Sequence, residues 1–296
     1  KEEKMESMLV NLKSSWNDIR FQSDPYKDGS EVKLLKLSEE DFEQLESDQL
    51  QVQTMMGSRF LKTFDKEVMH WNKTLRVVSD VVAVLTIIQR TWSYLEPLFI
   101  GSAEVRRELP EDAERFRKID QDTKHILVQA WQTRNVCAAC NEDGLLQSLE
   151  NLQGGLMLCK KSLQNFLDGK RRQFPRFYFV SEADLLDLLS NAGTPEKLLG
   201  HIPKIYLATK TLELTGGGGG SRPKATKWIA NVGVEEVVFQ PAVSLEGKAE
   251  VYLQTVLNSM QKTLENKLRG SIDRYTQQDR IQWLMNTEND EPTDPA

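Results

Sequence analysis

The sequence predicts a mostly α fold, an elongated multi-helix bundle rod with small β-hairpin and strand insertions. Three observations carry that reading. Apolar residues recur at alternating steps of four and three in at least five long stretches, as one face of a helix requires. Their spacing, close to 3.5 residues, favours helices that cross at shallow angles and lie side by side. Short aromatic or β-branched runs bounded by Pro, Gly or Asp occur in only three places.

The elements follow in order. Met5, Leu9, Leu12, Trp16 and Ile19 form the first stripe. Between Arg20 and Leu37, Pro25 and Asp28-Gly29 separate Phe21 from the run Val32–Leu35, the pattern of a β-hairpin. Ser38-Glu39-Glu40-Asp41 resembles a capping box ahead of Phe42 and Leu45, with Asp in place of the usual Glu or Gln. The second stripe is Trp71, Leu75, Val78, Val82 and Leu85, then Gln89, then Trp92. Gln89 is either a register-setting polar residue or a slot near the surface. The dense apolar run Trp92–Phe99 reads as a helix end set in the core.

Pro110 opens the third helix at a position where a missing N–H costs nothing, and Phe116, Ile119, Thr123, Ile126 and Ala130 are its stripe. The fourth stripe is Leu145, Leu149, Leu152, Leu156, Cys159, Leu163 and Phe166, closed by Asp168-Gly169. Pro175 then precedes Phe177-Tyr178-Phe179-Val180, which reads as extended. Ser181 caps a helix through Leu185, Leu186, Leu188 and Leu189 that Gly193 ends, and Thr194-Pro195 starts another. Val234–Phe239, with Pro241 beyond it, reads as a strand. Leu253, Leu257, Met260, Leu264, Leu268 and Ile272 form the fifth stripe.

These elements divide the chain. Residues 1–215 form a main helical body with its hairpin near 20–37. Residues 216–233 form a flexible glycine-rich loop. Residues 234–285 form a strand and a long helix, and 286–296 an acidic flexible tail. The chain does not begin with Met, and both ends read as cuts in a longer protein.

Composition narrows the function. The chain has 296 residues, 39% of them hydrophobic, enough for a sizeable core. A net charge of −6 and a pI near 5.4 disfavour a nucleic-acid binder or adhesion to an anionic membrane surface. No apolar run approaches the roughly 18 residues that span a bilayer. Three cysteines in an acidic chain fit a reducing interior better than a disulfide scaffold.

Catalytic signals are sparse. The glycine run 216–220 is followed by Ser221-Arg222-Pro223, and the Gly-Lys pairs at 169–170 and 247–248 are followed by Arg171 and Ala249. None is a phosphate loop, which needs Gly-Lys-Ser/Thr. Cys137-Ala138-Ala139-Cys140 has metal or redox spacing, but a zinc site needs two further ligands. Cys159 and His125 are the nearest in sequence, and Cys159 lies on an apolar stripe. His70 and His201 have no paired ligand or nucleophile. The strongest basic cluster is Lys170-Arg171-Arg172 with Arg176. It suits a helix C-terminus and equally an acidic partner surface.

Four segments resemble the linker of dynein heavy chains, axonemal and loosely outer-arm ones in particular. Gln89-Arg90-Thr91-Trp92-Ser93-Tyr94-Leu95-Glu96-Pro97-Leu98-Phe99 is similar to the family's Gln-x-x-Trp-x-Tyr-Leu-Glu-Pro-x-Phe run. Leu109-Pro110-Glu111-Asp112 with Phe116 resembles its Leu-Pro-Glu segment. The run Lys170–Ser181 resembles the Lys-Arg…Phe-Pro-Arg-Phe signature, and Arg280, Trp283 and Leu284 an Arg-x-x-Trp-Leu pattern. The glycine-rich stretch at 216–232 departs from the family in length.

The resemblance implies a helical lever that lies across an AAA+ ring, bends when the ring binds ATP and straightens in the power stroke. It implies a cytoskeletal setting in the axoneme of cilia and flagella. The implied partners are the AAA+ ring of the same heavy chain, other dynein chains and, indirectly, microtubules. ATP and Mg would belong to the ring, with no cofactor, metal or catalytic residue in this segment. On that reading Lys170, Arg171, Arg172 and Arg176 are candidates for docking on the ring, and Gly169 and Gly193 for the hinge. The competing readings are a helical scaffold or adaptor that binds partner helices, and a metal enzyme built on Cys137 and Cys140.

Overall fold

The structure is a computed structural model, and it describes residues 2–27, 29–216, 222–232 and 235–285. It is mostly helical and divides into two compact units, Lys1–Gln164 and Asn165–Ala296.

In the first unit, α1 (Glu2–Asp18) leads into an antiparallel hairpin of β1 (Gln22–Pro25) and β2 (Lys33–Lys36), in register from Gln22 opposite Lys36 to Pro25 opposite Lys33. Then come α2 (Glu39–Met56), α3 (Leu61–Glu96), a π-turn at Pro97–Gly101, α4 (Ala103–Glu108), α5 (Pro110–Thr133) and α6 (Val136–Cys140). The last helix, α7 (Leu145–Gln173), continues into the second unit.

The caps explain several boundaries. Ser38 accepts the Asp41 backbone N–H at 3.0 Å and donates its hydroxyl to the Asp41 carboxylate at 2.6 Å, so Ser38 caps α2 and Asp41 holds the capping hydroxyl. Ser102 caps α4 by accepting from Val105, and Asn135 caps α6 by accepting from Ala138.

The stripes become the core. Met5, Leu9, Leu12 and Trp16 are buried on α1, and Leu75, Val78, Val82, Leu85 and Trp92 on α3. On α5, Phe116, Ile119, Thr123 and Ala130 are buried, with Leu127 taking the place expected of half-buried Ile126. Leu149, Leu152, Leu156, Cys159 and Leu163 are buried on α7. Glycine at 155 lets α7 approach α5, because a Cβ there would lie 2.7 Å from Ile119 Cδ1.

The second unit takes the rest of α7, a 3-10 turn at Pro175–Phe179, α8 (Glu182–Ser190), α9 (Pro195–Leu198), a short 3-10 turn at Leu199–His201 and α10 (Ile202–Ile205). Strands β3 (Thr209–Thr215), β4 (Lys224–Ala230) and β5 (Glu236–Ser244) form an antiparallel sheet in that order. Helix α11 (Ala249–Gln277) packs on β5, and the short α12 (Arg280–Met285) follows.

Five sequence expectations are corrected here. Helix α7 does not stop at Asp168-Gly169 but runs to Gln173. Leu167 and Lys170 are both buried on it, and glycine in a helix costs only about 1 kcal/mol relative to alanine. Phe177–Val180 is not extended. Pro175 starts a 3-10 turn, in which residues three apart share a side, and Phe174 and Phe177 are buried edge to face at 4.9 Å.

Helix α8 ends at Ser190, before Gly193. Asn191 closes it by donating its side-chain N–H to the Asp187 carbonyl at 2.9 Å. The glycine-rich loop does not extend to 233, because β4 occupies 224–230 with Ala225 and Trp228 buried. Residues 217–221 and the expected acidic tail lie outside the described residues. The division at 215 also moves. β3 pairs with β4 and so joins the C-terminal strands, and the boundary falls near residue 164 inside α7.

The fifth stripe is buried only in its first half. Leu253 and Met260 are covered, Leu257 is half-buried with its neighbour Val256 in the core instead, and Leu264, Leu268 and Ile272 are exposed.

Candidate functional site

The basic cluster at the end of α7 is a joint in the core of the second unit. Lys170 is buried, and its Nζ lies 2.7 Å from Oε1 of Glu250 in the first turn of α11, whose side chain is also buried. This ion pair fastens α7 to α11. Arg176 Nη1 donates to the Ile205 carbonyl at 3.1 Å and lies over the Tyr206 ring, which ties the 3-10 turn to α10.

Tyr206 Oη donates to the Leu253 carbonyl at 2.6 Å, and Tyr252 Oη to the Ala192 carbonyl at 3.4 Å. Burial pushes both phenols up, so each stays a neutral donor. Arg171 pairs with Asp168 at 3.1 Å and lies over Tyr178, while Arg172 is exposed.

The four cations read as one surface cluster therefore have different roles. Lys170 is internal, Arg171 and Arg176 are half-buried braces, and Arg172 alone of the four is exposed. Glu250 was not legible as a partner, although its place three residues before Leu253 puts it toward the apolar side of α11. Of the two glycines singled out, Gly169 is inside α7. Gly193 is exposed in the turn between α8 and α9, with nothing within 4 Å of a Cβ placed there.

In the first unit, the Gln89–Phe99 segment anchors the hairpin. Gln89 is buried, and its carboxamide behaves as one more strand residue. Its Oε1 accepts from Leu35 N–H at 2.6 Å and its Nε2 donates to the Leu35 carbonyl at 2.9 Å. One turn on, Trp92 lies under Tyr26, with centroids 4.4 Å apart, and donates Nε1–H to Asp120 at 2.9 Å. A further turn on, buried Glu96 takes the Lys27 ammonium at 2.5 Å. Burial, then the charge of Glu96, pushes the Tyr26 phenol up. Residues 89, 92 and 96 fall on one helix face, so a single stripe of α3 holds both arms of the hairpin.

Cys137, Cys140 and Cys159 are free. Burial pushes them up to about 11, about 12 and about 11, which keeps them as thiols near neutral pH. Among the described residues, no three His, Cys, Asp or Glu side chains converge to hold a metal, so Cys159 and His125 do not complete the expected set. No described helix is long and apolar enough to cross a membrane.

The family model "Dynein heavy chain, N-terminal region 2" matches residues 1–271. The chain belongs to the dynein heavy chain family. It is 42% identical over 287 residues to the dynein alpha chain of the flagellar outer arm of Chlamydomonas reinhardtii. It is 37% identical over 284 residues to the ciliary dynein beta chain of Heliocidaris crassispina, and 37% over 285 residues to dynein axonemal heavy chain 17 of Homo sapiens. Each match covers 96% of this chain and 6% of the relative, so this dynein heavy-chain region spans about one-sixteenth of the relatives' length. The hairpin anchor and the α7–α11 joint both lie within residues 1–271.

Proposed function

We propose that this region is the mechanical linker of an axonemal dynein motor, a lever that bends and straightens over the AAA+ ring. In this reading it acts in cilia and flagella, its partners are the ring of the same heavy chain, other dynein chains and, through the motor, microtubules. ATP and Mg act in the ring, and this region transmits force without catalysing a step. Arg172, with Arg171 and Arg176 behind it, is its docking charge.

The observation that carries the reading is α3. Its 36 residues span about 54 Å at 1.5 Å per residue. Buried side chains recur along it from Val68 to Glu96. A lever must resist bending along its length and yield at one place, and close-packed helices deform little. The anchored hairpin braces α3 within the first unit, and the Lys170–Glu250 pair braces the second unit separately.

Within the lever, the hinge belongs in the turn at Asn191–Thr194, where Gly193 is exposed and the helical hydrogen bonding of α8 has ended. Gly193→Pro in the full heavy chain tests this, because proline fixes the backbone at one of the few soft positions. Microtubule gliding slows while ATP turnover is nearly retained. Unchanged gliding speed removes Gly193 as the hinge.

A further inference from the structure

A groove of about 730 Å³ opens on the first unit between α1, α3 and α6. Val10, Lys13 and Asn17 line it from α1 at steps of three and four, so one face of that helix forms a wall about 10 Å long. Trp71 from α3 and Ala138 from α6 supply apolar surface. Trp71 is half-buried, and its indole N–H has no partner among the described residues, whereas Trp16 and Trp92 donate theirs to Asp48 and Asp120.

Charge says what fits there. No Asp or Glu lines the groove, and Asp18 and Glu67, next along the same helices, are outside its lining. Exposed Lys13 has no carboxylate within 4.0 Å among the described residues. Arg20 stands at one end, where its guanidinium donates to the carbonyls of Asn17 and Ile19 and likewise has no carboxylate within 4.0 Å. In a chain whose net charge is −6, a groove with a cationic rim and no carboxylate is a local reversal of sign.

We propose that this groove binds an acidic peptide segment of a partner protein, which lays one aromatic side chain against Trp71 and sets carboxylates on Lys13 and Arg20. The volume lies within the range of about 300–1,000 Å³ that holds a ligand of that size. The wall matches about three extended residues or two helical turns. Trp71 supplies the apolar seat and a free donor, and the two cations supply complementarity of charge. The inference concerns the first unit alone and does not rest on lever motion.

Half-buried Cys137 lines the groove and reports its occupancy. The probe is a blocked peptide, Glu-Glu-Phe-Glu-Glu, at low ionic strength. The readout is the rate at which iodoacetamide modifies Cys137 at pH 8, located by mass spectrometry and taken relative to the peptide-free protein. Saturating peptide slows that rate about ten-fold, while Cys159, which does not line the groove, reacts as before. Lys13→Glu raises the half-saturating concentration about ten-fold, through attraction lost and repulsion gained, with the circular dichroism unchanged. Peptides with alanine for the phenylalanine, or with lysine for the glutamates, give no protection. Absence of protection by millimolar Glu-Glu-Phe-Glu-Glu overturns the site. Equal protection by the alanine peptide removes the aromatic seat, and equal protection by the lysine peptide contradicts the preference for acid. Protection that survives Lys13→Glu combined with Arg20→Glu overturns the cationic rim.

Discussion

Lys170→Met removes the ammonium from the α7–α11 joint and leaves Glu250 buried without its counter-charge. The Lys170 and Glu250 side chains are 8% and 4% exposed, the pair is 2.7 Å long, and Glu250 Oε2 has no other partner. Losing one member of so buried a pair costs about 3–5 kcal/mol, because the orphaned carboxylate keeps its desolvation penalty. The double variant Lys170→Met with Glu250→Leu removes that penalty and returns to within about 1–2 kcal/mol of the parent. Hydrogen exchange of the α11 amides at 249–263 reads the difference as local opening. The single variant exchanges about a hundred-fold faster or more, and the double variant recovers most of that protection. Equal acceleration in the single and double variants would show that the two charges are not coupled and that the pair does not fasten α7 to α11.

Two further outcomes follow from the sites. Gln89→Leu strips both carboxamide bonds from Leu35 and leaves a buried N–H and C=O unpaired, at a cost of about 2–4 kcal/mol. Urea unfolding of the variant measures it, and an unchanged midpoint contradicts the hairpin anchor. The thiols are raised to about 11 and about 12, so between pH 9 and 11 the unfolded chain has lost protons that the folded one keeps. Stability therefore falls as pH rises through that window. At pH 8 iodoacetamide modifies half-buried Cys137 ahead of Cys140 and Cys159, and a flat unfolding midpoint from pH 8 to 11 contradicts the assignment.

The helical body was legible in the sequence because burial and helical period select the same residues. Leu75, Val78, Val82 and Leu85 are both stripe and core. The hairpin and the Ser38 and Ser181 caps were legible because turn and cap chemistry is local. Other features were not. A glycine inside a helix resembles a glycine that ends one, and only the burial of Leu167 and Lys170 shows that α7 continues past Gly169. Strand β4 lay hidden beside the glycine run, because its register depends on β3 and β5 rather than on its own pattern.

The Lys170–Glu250 pair joins residues 80 apart, and nothing local in either neighbourhood names the other. A run of Lys and Arg reads as surface until tertiary contacts internalise one member. The relatives and the motif at Gln89–Phe99 agree on the family. The geometry adds what Gln89, Trp92 and Glu96 do there, which is to hold the hairpin.

The lever claim is tested most directly by distance in the working motor. A donor dye at exposed Leu50 on α2 and an acceptor on the AAA+ ring of the full heavy chain report their separation by energy transfer. A moving lever gives two transfer efficiencies, one without nucleotide and one with ATP and vanadate, which interconvert during turnover. A single efficiency in every nucleotide state, in a motor that still moves microtubules, would contradict it.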